Sequence, residues 1–300
     1  MIDSLSRERY RPVIILGAAR SGTKIFRDVI ATHPSLVAIP HDVNFVWKYG
    51  NYHMSHDQLT PDHVTPQSAA FIHEFFQKFH RGRSDVRVIE KTVSNTIRAD
   101  FVRKVFPSCQ FIHLIRDGRD VIASSVRQWQ APLDSWRVLH KVQYLPLRAI
   151  PNYAVNYAVS YLKRKLSSTN QVASWGVVLE DLGEILQQCS LLEVCAIQWR
   201  MSVEYAMTAL QSVPETDKLE VRYEHFVQHP LDEIERILKF LGLKSFDEAS
   251  QRVKEMVDPS QVGKWKHQLA SQDLQLVTSH ISRTMNQLGY FGSHEPTPAV

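Results

Sequence analysis

The stretch Val13–Ile30, VIILGAARSGTKIFRDVI, decides how this chain is read. Val13, Ile14, Ile15 and Leu16 are apolar without a break, the pattern of a strand buried on both faces of a parallel sheet. Gly17, Ala18, Ala19, Ser21 and Gly22 follow, small residues that let backbone N–H groups close around an anion. Ile25, Phe26, Val29 and Ile30 then recur at helical spacing, which puts Gly22 and Thr23 at a helix N-terminus. Free amide donors and the positive end of the helix dipole favour phosphate there. Arg20, Ser21, Thr23 and Lys24 add side-chain donors. The segment reads as a phosphate-binding loop, against the plainer reading of a tight strand-to-helix turn.

The loop departs from the nucleoside-triphosphatase pattern, which needs Gly-Lys followed by Ser or Thr to hold magnesium. Here Thr23 precedes Lys24, and a cation, Arg20, stands inside the loop. That arrangement suits a donor whose group moves without metal. A second segment, FIHLIRDGRDVIASSV from Phe111 to Val126, repeats the buried strand and the following helix. Arg116 falls at the strand end and Ser124 eight residues later, on the helix. Ligands of open parallel sheets collect at strand carboxyl ends, and an Arg fork grips phosphate with paired hydrogen bonds. The alternative is that Arg116, Asp117, Arg119 and Asp120 form a solvated charge cluster around a turn.

Together the two segments resemble the sulfotransferases that use 3′-phosphoadenosine 5′-phosphosulfate (PAPS) and release 3′-phosphoadenosine 5′-phosphate (PAP). RSGT at Arg20–Thr23 is similar to the family's 5′-phosphosulfate loop, and Arg116 with Ser124 to its 3′-phosphate motif. LEVRYEHFVQHPLDEIERILKFLGL, Leu219–Leu243, resembles the family's strand, turn and amphipathic helix, with Tyr223 as a nucleotide contact. VGKWKHQL, Val262–Leu269, resembles its C-terminal loop, where Gly263, Lys264, Trp265 and Lys266 close over the nucleotide. The blocks keep the family's order along nearly the whole chain. The resemblance implies PAPS as sulfuryl donor, no required metal, and cofactor contacts from Arg20, Ser21, Gly22, Thr23, Lys24, Arg116, Ser124, Tyr223 and the 263–266 loop.

It also implies catalytic groups. Arg20 is the first cation for the leaving oxygen, and Lys91 in VIEKT is the second, against the plainer reading of a surface ion pair with Glu90. Family members use as base either a His after the KT pair or a carboxylate after the first helix. Val93 stands where that His would be, and IPHDVNFVW, 39–47, is similar to the carboxylate segment. Asp42 is therefore the expected base and His41 the runner-up, while the plainer reading is that HDVN caps a helix.

Composition bounds the rest. Three hundred residues suffice for one large domain over 1–300, with a core and a buried site. A net charge of +4 from 35 basic and 31 acidic residues gives no case for nucleic acid as a partner. Cys109, Cys189 and Cys195 form no metal pattern and read as buried thiols. The N-terminus lacks an apolar signal region and no apolar run is long enough to span a bilayer, so the expectation is a cytoplasmic enzyme without stable membrane insertion.

Strand patterns at 13–16, 87–90, 111–115 and 219–222 alternate with helix patterns at 22–32, 65–81, 98–106, 118–128, through Trp199, and at 231–241. This predicts an α/β fold: a P-loop-like parallel sheet flanked by helices, with a largely helical acceptor-side insertion at about 130–190. Trp129, Trp136, Tyr144 and Trp175 of that region either stack on sugar rings or fill a helical core, and the tail at about 293–300 reads as frayed. The expected function is sulfuryl transfer to a hydroxyl or amine of a small-molecule or glycan acceptor. The rivals are a P-loop nucleotide kinase and a nucleotide-binding protein without chemistry.

Overall fold

The computed structural model describes residues 11–80, 82–83, 85–130, 176–245 and 250–291. Its centre is a five-stranded sheet ordered β2-β3-β1-β4-β5. The strands are β1 (Val13–Leu16), β2 (Leu36–Ala38), β3 (Arg87–Glu90), β4 (Gln110–Ile115) and β5 (Lys218–Arg222). All neighbours run parallel, with Ile14 opposite Glu90 on one side and Phe111 on the other. β1 lies in the middle, which is why its residues are apolar on both faces.

The two-residue period of the strands divides the core. Val13, Ile15, Ile112, Leu114 and Val221 face α1 (Thr23–Ile30), α8 (Tyr223–Gln228), α9 (Pro230–Leu241) and α10 (Ser250–Met256). Ile14, Leu16, Val88 and Phe111 face α2 (Asn44–Trp47), α3 (Pro66–His80) and α4 (Ala99–Val105). At the end of β4, Ile115 joins α5 (Gly118–Gln130), α6 (Leu182–Gln188), α7 (Leu191–Gln211) and α12 (Ser271–Gln287) in a third cluster. A last short helix, α11 (Trp265–Gln268), touches α5. The chain leaves β1 toward β2 on one side and later crosses to β4 on the other. The crevice where the order reverses therefore opens between the carboxyl ends of β1 and β4.

Local chemistry explains the element ends. α7 starts at a capping box in which Ser190 and Glu193 satisfy each other's backbone N–H. α9 has Pro230 in its first turn and stops at Gly242, whose φ of 70° only glycine adopts cheaply. The expected 98–106 helix is shortened to α4 because Val93–Arg98 winds as a 3₁₀ turn. β2 and α12 are additions to the sequence reading. Trp129 is buried among α5 and α7 residues and fills core. Trp136, Tyr144, Trp175, most of the expected insertion and the expected frayed tail lie outside the described residues. Cys109 and Cys195 are buried thiols, both pushed up to about 12 by burial.

Candidate active site

β1 delivers the loop 17–22 to the crevice. Its backbone is tightly folded: the Ser21 N–H donates to Ala18 O at 3.1 Å, and α1 begins with Phe26 N–H on Gly22 O at 3.0 Å. Gly22 has φ 83° and Arg20, a non-glycine, has φ 70°. A Cβ on Gly22 would lie 2.2 Å from Tyr223 Cε2, so the ring of Tyr223 forms the floor under the loop. A Cβ on Gly17 would lie 2.5 Å from Thr23 Cγ2 and 3.0 Å from Leu114 O. Ser21 and Thr23 are buried within the turn, and the first turn of α1 carries no acid, leaving its positive end to an anion. Lys24 points the other way, along the helix, to Asp28 at 2.7 Å.

β4 and α5 supply the neighbouring wall. Arg20 Nε donates to Ser124 Oγ at 2.9 Å, which joins the two expected anion motifs. Arg116 donates to Arg20 O at 3.2 Å and to Gln261 O at 2.5 Å, and stacks 4.3 Å from the Tyr223 ring centroid. Its Nε is buried with no partner, an orphaned donor at the edge of the crevice. Burial raises the Tyr223 phenol above its usual range, against the pull of Arg116.

The charge run 116–120 is not a solvated cluster. Arg116, Asp117, Arg119 and Asp120 are all buried, Asp120 to 2% exposure. Asp120 reaches across the chain to the C-terminal loop. Its two carboxylate oxygens accept from Gly263 N–H at 2.7 Å and Trp265 N–H at 2.8 Å. Arg119, paired with Asp117, stacks on Trp265 at 4.1 Å. Lys264 donates to Gln261 Oε1 at 2.9 Å, and Lys266 is exposed. Sequence reasoning missed Asp120, because its partners are over 140 residues away.

The carboxyl end of β3 brings in the remaining candidates. Lys91 Nζ donates to Asp42 Oδ1 at 2.6 Å, so the expected second cation and the expected base form one ion pair. His41 is half-buried beside them. The HDVN segment does lead into α2, with Val43 as its cap and without a side-chain bond, so Asp42 is left to pair with Lys91. Glu90 is wholly buried and pairs with Thr92 and Asn95 instead of Lys91. Thr92 Oγ1 also accepts from Val43 N–H at 2.8 Å. Burial pushes the Glu90 carboxyl up to about 7, with Asp42 adding to the rise and Arg98 opposing it. Behind this layer, Asp57 accepts from Asn44 at 3.0 Å and Ser94 at 2.7 Å. Burial works to raise the Asp57 carboxyl, yet Arg98 and these donors hold it low.

The arrangement offers two kinds of chemistry: a basic, amide-rich cradle and, beside it, a carboxylate–ammonium pair. The orphaned Arg116 Nε fits an anion at the strand end, while Gly17 and Gly22 let the loop pack against Thr23, Leu114 and the Tyr223 ring. Among the described residues no group of His, Cys, Asp or Glu is set to hold a metal ion, and no helix is long and apolar enough to cross a membrane.

Comparison with known proteins bears on the fold and the family. The chain is 22% identical over 247 residues to protein-tyrosine sulfotransferase A of Caenorhabditis elegans, covering 78% of this chain and 51% of that protein. It thus spans about half the length of that relative. The sulfotransferase domain of the curacin biosynthetic pathway superposes with a TM-score of 0.52 at 14% identity, covering 91% of this chain and 98% of that one. The sulfotransferase domain of the Synechococcus PCC 7002 olefin synthase gives a TM-score of 0.52 at 18% identity, with 92% and 96% covered. A mouse sulfotransferase, SULT7A1, solved with PAP, gives 0.51 at 13% identity, with 95% and 90% covered. These structural likenesses speak for the fold. The family model described as "Sulfotransferase family" matches residues 12–165 and 164–248, and on that match the chain belongs to the sulfotransferase family.

Proposed function

We propose that this protein transfers a sulfuryl group from PAPS to an acceptor hydroxyl or amine by in-line displacement. The observation that carries the reading is the adjacency of two features. The Arg20–Ser124–Arg116 cradle sits at the β1/β4 crevice, and the Asp42–Lys91 pair sits at the end of β3, the next strand. The donor supplies an activated sulfuryl group on a phosphate that leaves. The loop amides of 20–23, with Ser21 and Thr23, orient its 5′ end; Arg116 and Ser124 bind its 3′-phosphate. Tyr223 stacks below, and Gly263, Lys264, Trp265 and Lys266 cover the nucleotide. Lys24, paired with Asp28 at 2.7 Å, contributes by swinging toward the phosphates.

Arg20 and Lys91 neutralise charge that gathers on the leaving oxygen and the equatorial oxygens, the main catalytic tool of such transfers. Asp42 takes the acceptor's proton, with His41 beside it as the alternative base. We propose a glycan or other hydroxylated metabolite as acceptor, a cytoplasmic location and one domain over 1–300. A second reading, a phenolic hydroxyl on a tyrosyl peptide, draws support from two sources. One is the Caenorhabditis elegans relative's name. The other is the apolar side chains Ile39, Pro40, Phe45, Phe75 and Phe79 that flank His41 and Asp42, which leave no room for a ring unless they move.

The test is incubation with radiolabelled PAPS and separate glycan, tyrosyl-peptide and small phenol pools, without added magnesium. Label in the glycan pool supports the first acceptor, and label in peptide the second. No transfer, combined with stabilisation by ATP and magnesium but not by PAP, turns the reading over to a kinase. PAP binding without transfer to any pool turns it over to a nucleotide-binding protein.

A further inference from the structure

Glu90 is the most deeply buried ionisable group near the candidate base, at 0% exposure, yet no step above uses it. Its environment is built. One oxygen takes the Thr92 hydroxyl, and the other takes the Asn95 amide at 2.8 Å. Asn95 in turn accepts from Arg98 Nε at 2.9 Å. The Thr92 hydroxyl does two things at once: it bonds Glu90 and accepts the Val43 backbone N–H. Val43 is the residue after Asp42, and Thr92 the residue after Lys91. Glu90 and Thr92 therefore tie together the two backbone segments that carry the ion pair, from beneath it.

We propose that Glu90 is a positioning residue for transfer, holding the Asp42 turn at a fixed height above the end of β3 through Thr92. The proposal rests on the reading of Asp42 and Lys91 given above. Lys91 and Asp42 are both long or partly exposed side chains, and their 2.6 Å contact alone leaves the turn free to tilt. A backbone N–H anchored to a buried hydroxyl does not tilt without breaking a desolvated bond. A reacting group displaced by about 1 Å loses about 100-fold in rate. Apart from Lys91 at the leaving oxygen, the nucleotide contacts assigned above come from the β1/β4 crevice and the 263–266 loop, not from the segments this tie joins.

Three variants test it: Thr92→Val, which keeps shape and removes the hydroxyl; Glu90→Ala; and Glu90→Gln, which keeps an acceptor for Thr92. Turnover is measured with whichever acceptor pool the wild type labels, PAP affinity by calorimetry, and hydrogen exchange of the Val43 amide by NMR. T92V and E90A are expected to lower kcat about 100-fold with PAP affinity and the donor KM nearly unchanged. E90Q restores most of the lost turnover, and Val43 exchange speeds up in T92V and E90A but not in E90Q. Should E90A not fold, T92V carries the same comparison. Wild-type turnover and wild-type Val43 protection in T92V overturn the proposal, as does parallel loss of PAP affinity and kcat. If the wild type transfers to no acceptor, the proposed activity fails, and the Val43 exchange still decides whether Glu90 holds the turn.

Discussion

Arg20 Nε lies 2.9 Å from Ser124 Oγ, a contact between residues 104 positions apart. It brings the cation of the first anion loop onto the hydroxyl of the second motif. The crevice between β1 and β4 is thus bridged by the side chains expected to grip opposite ends of one nucleotide. A doubly phosphorylated adenosine in the crevice would exchange this contact, in which only the Arg20 donor is charged, for bonds in which the cation meets an anion.

That exchange separates the two residues experimentally. Arg20→Ala is expected to reduce transfer by about 100-fold or more, because it removes charge aimed at the leaving oxygen. Ser124→Ala removes one hydrogen bond to the 3′-phosphate and should weaken PAP by about tenfold, leaving turnover at saturating donor little changed. Calorimetry with PAP and saturation kinetics check both. Unchanged turnover in R20A removes Arg20 from the chemistry.

The Asp42–Lys91 pair predicts a different pattern. Asp42→Asn keeps the shape of the side chain and removes the proton acceptor, so kcat should fall by about 100-fold or more while PAP affinity holds. His41→Ala should have a small effect. A reversed ranking, with H41A the more damaging, makes His41 the base. Lys91→Met should also lower kcat, and the double variant with D42N should fall short of the sum, because the groups act as a unit.

Asp120 predicts behaviour of the C-terminal loop. Its carboxylate accepts both the Gly263 and the Trp265 N–H, and Arg119 packs against the Trp265 ring. Asp120→Ala leaves two backbone donors without their buried acceptor. Amide exchange and limited proteolysis over 259–268 should rise, and PAP should dissociate about tenfold faster, because the cover no longer holds its closed position. Equal protection of this loop in D120A and wild type contradicts the assignment.

What the sequence made legible, and what it hid, follows from range. β1, β4, the 17–22 loop and the Arg116/Ser124 spacing are written in contiguous residues, and the sheet adds only their adjacency. The Asp42–Lys91 pair is reached only through family resemblance; no local pattern says that residues 49 apart will touch. Asp120 and Glu90 stay hidden because their roles exist only once distant backbone folds over them. The alternative of a solvated charge run at Arg116–Asp120 is excluded only by the fold, which buries all four charged residues and sets Asp120 against the C-terminal loop. α12 is the exception, since Val277, Ile281, Met285 and Leu288 repeat at helical spacing and are readable. β2 has three residues, too few for a periodic signal.

Glu90 makes the stability of the fold depend on pH in a defined direction. Its carboxyl titrates at about 7 in the folded chain against an ordinary value of 4.5, because burial disfavours the anion; Asp42 adds to the rise, and Arg98, the charged neighbour behind it, opposes it. Between those values the folded chain holds a proton that the unfolded chain has released. Stability from this group is therefore full below pH 4.5 and is lost as pH rises through about 7. The loss amounts to roughly 3 kcal/mol, since each pH unit separating the two titrations is worth about 1.4 kcal/mol. Glu90→Gln cannot titrate, so its stability relative to wild type should climb across this interval and level off above about pH 8. Urea unfolding of both proteins from pH 4 to 9 measures the difference. A difference that stays flat, or that falls as pH rises, means the folded carboxyl is ionised throughout and its burial is compensated by Arg98.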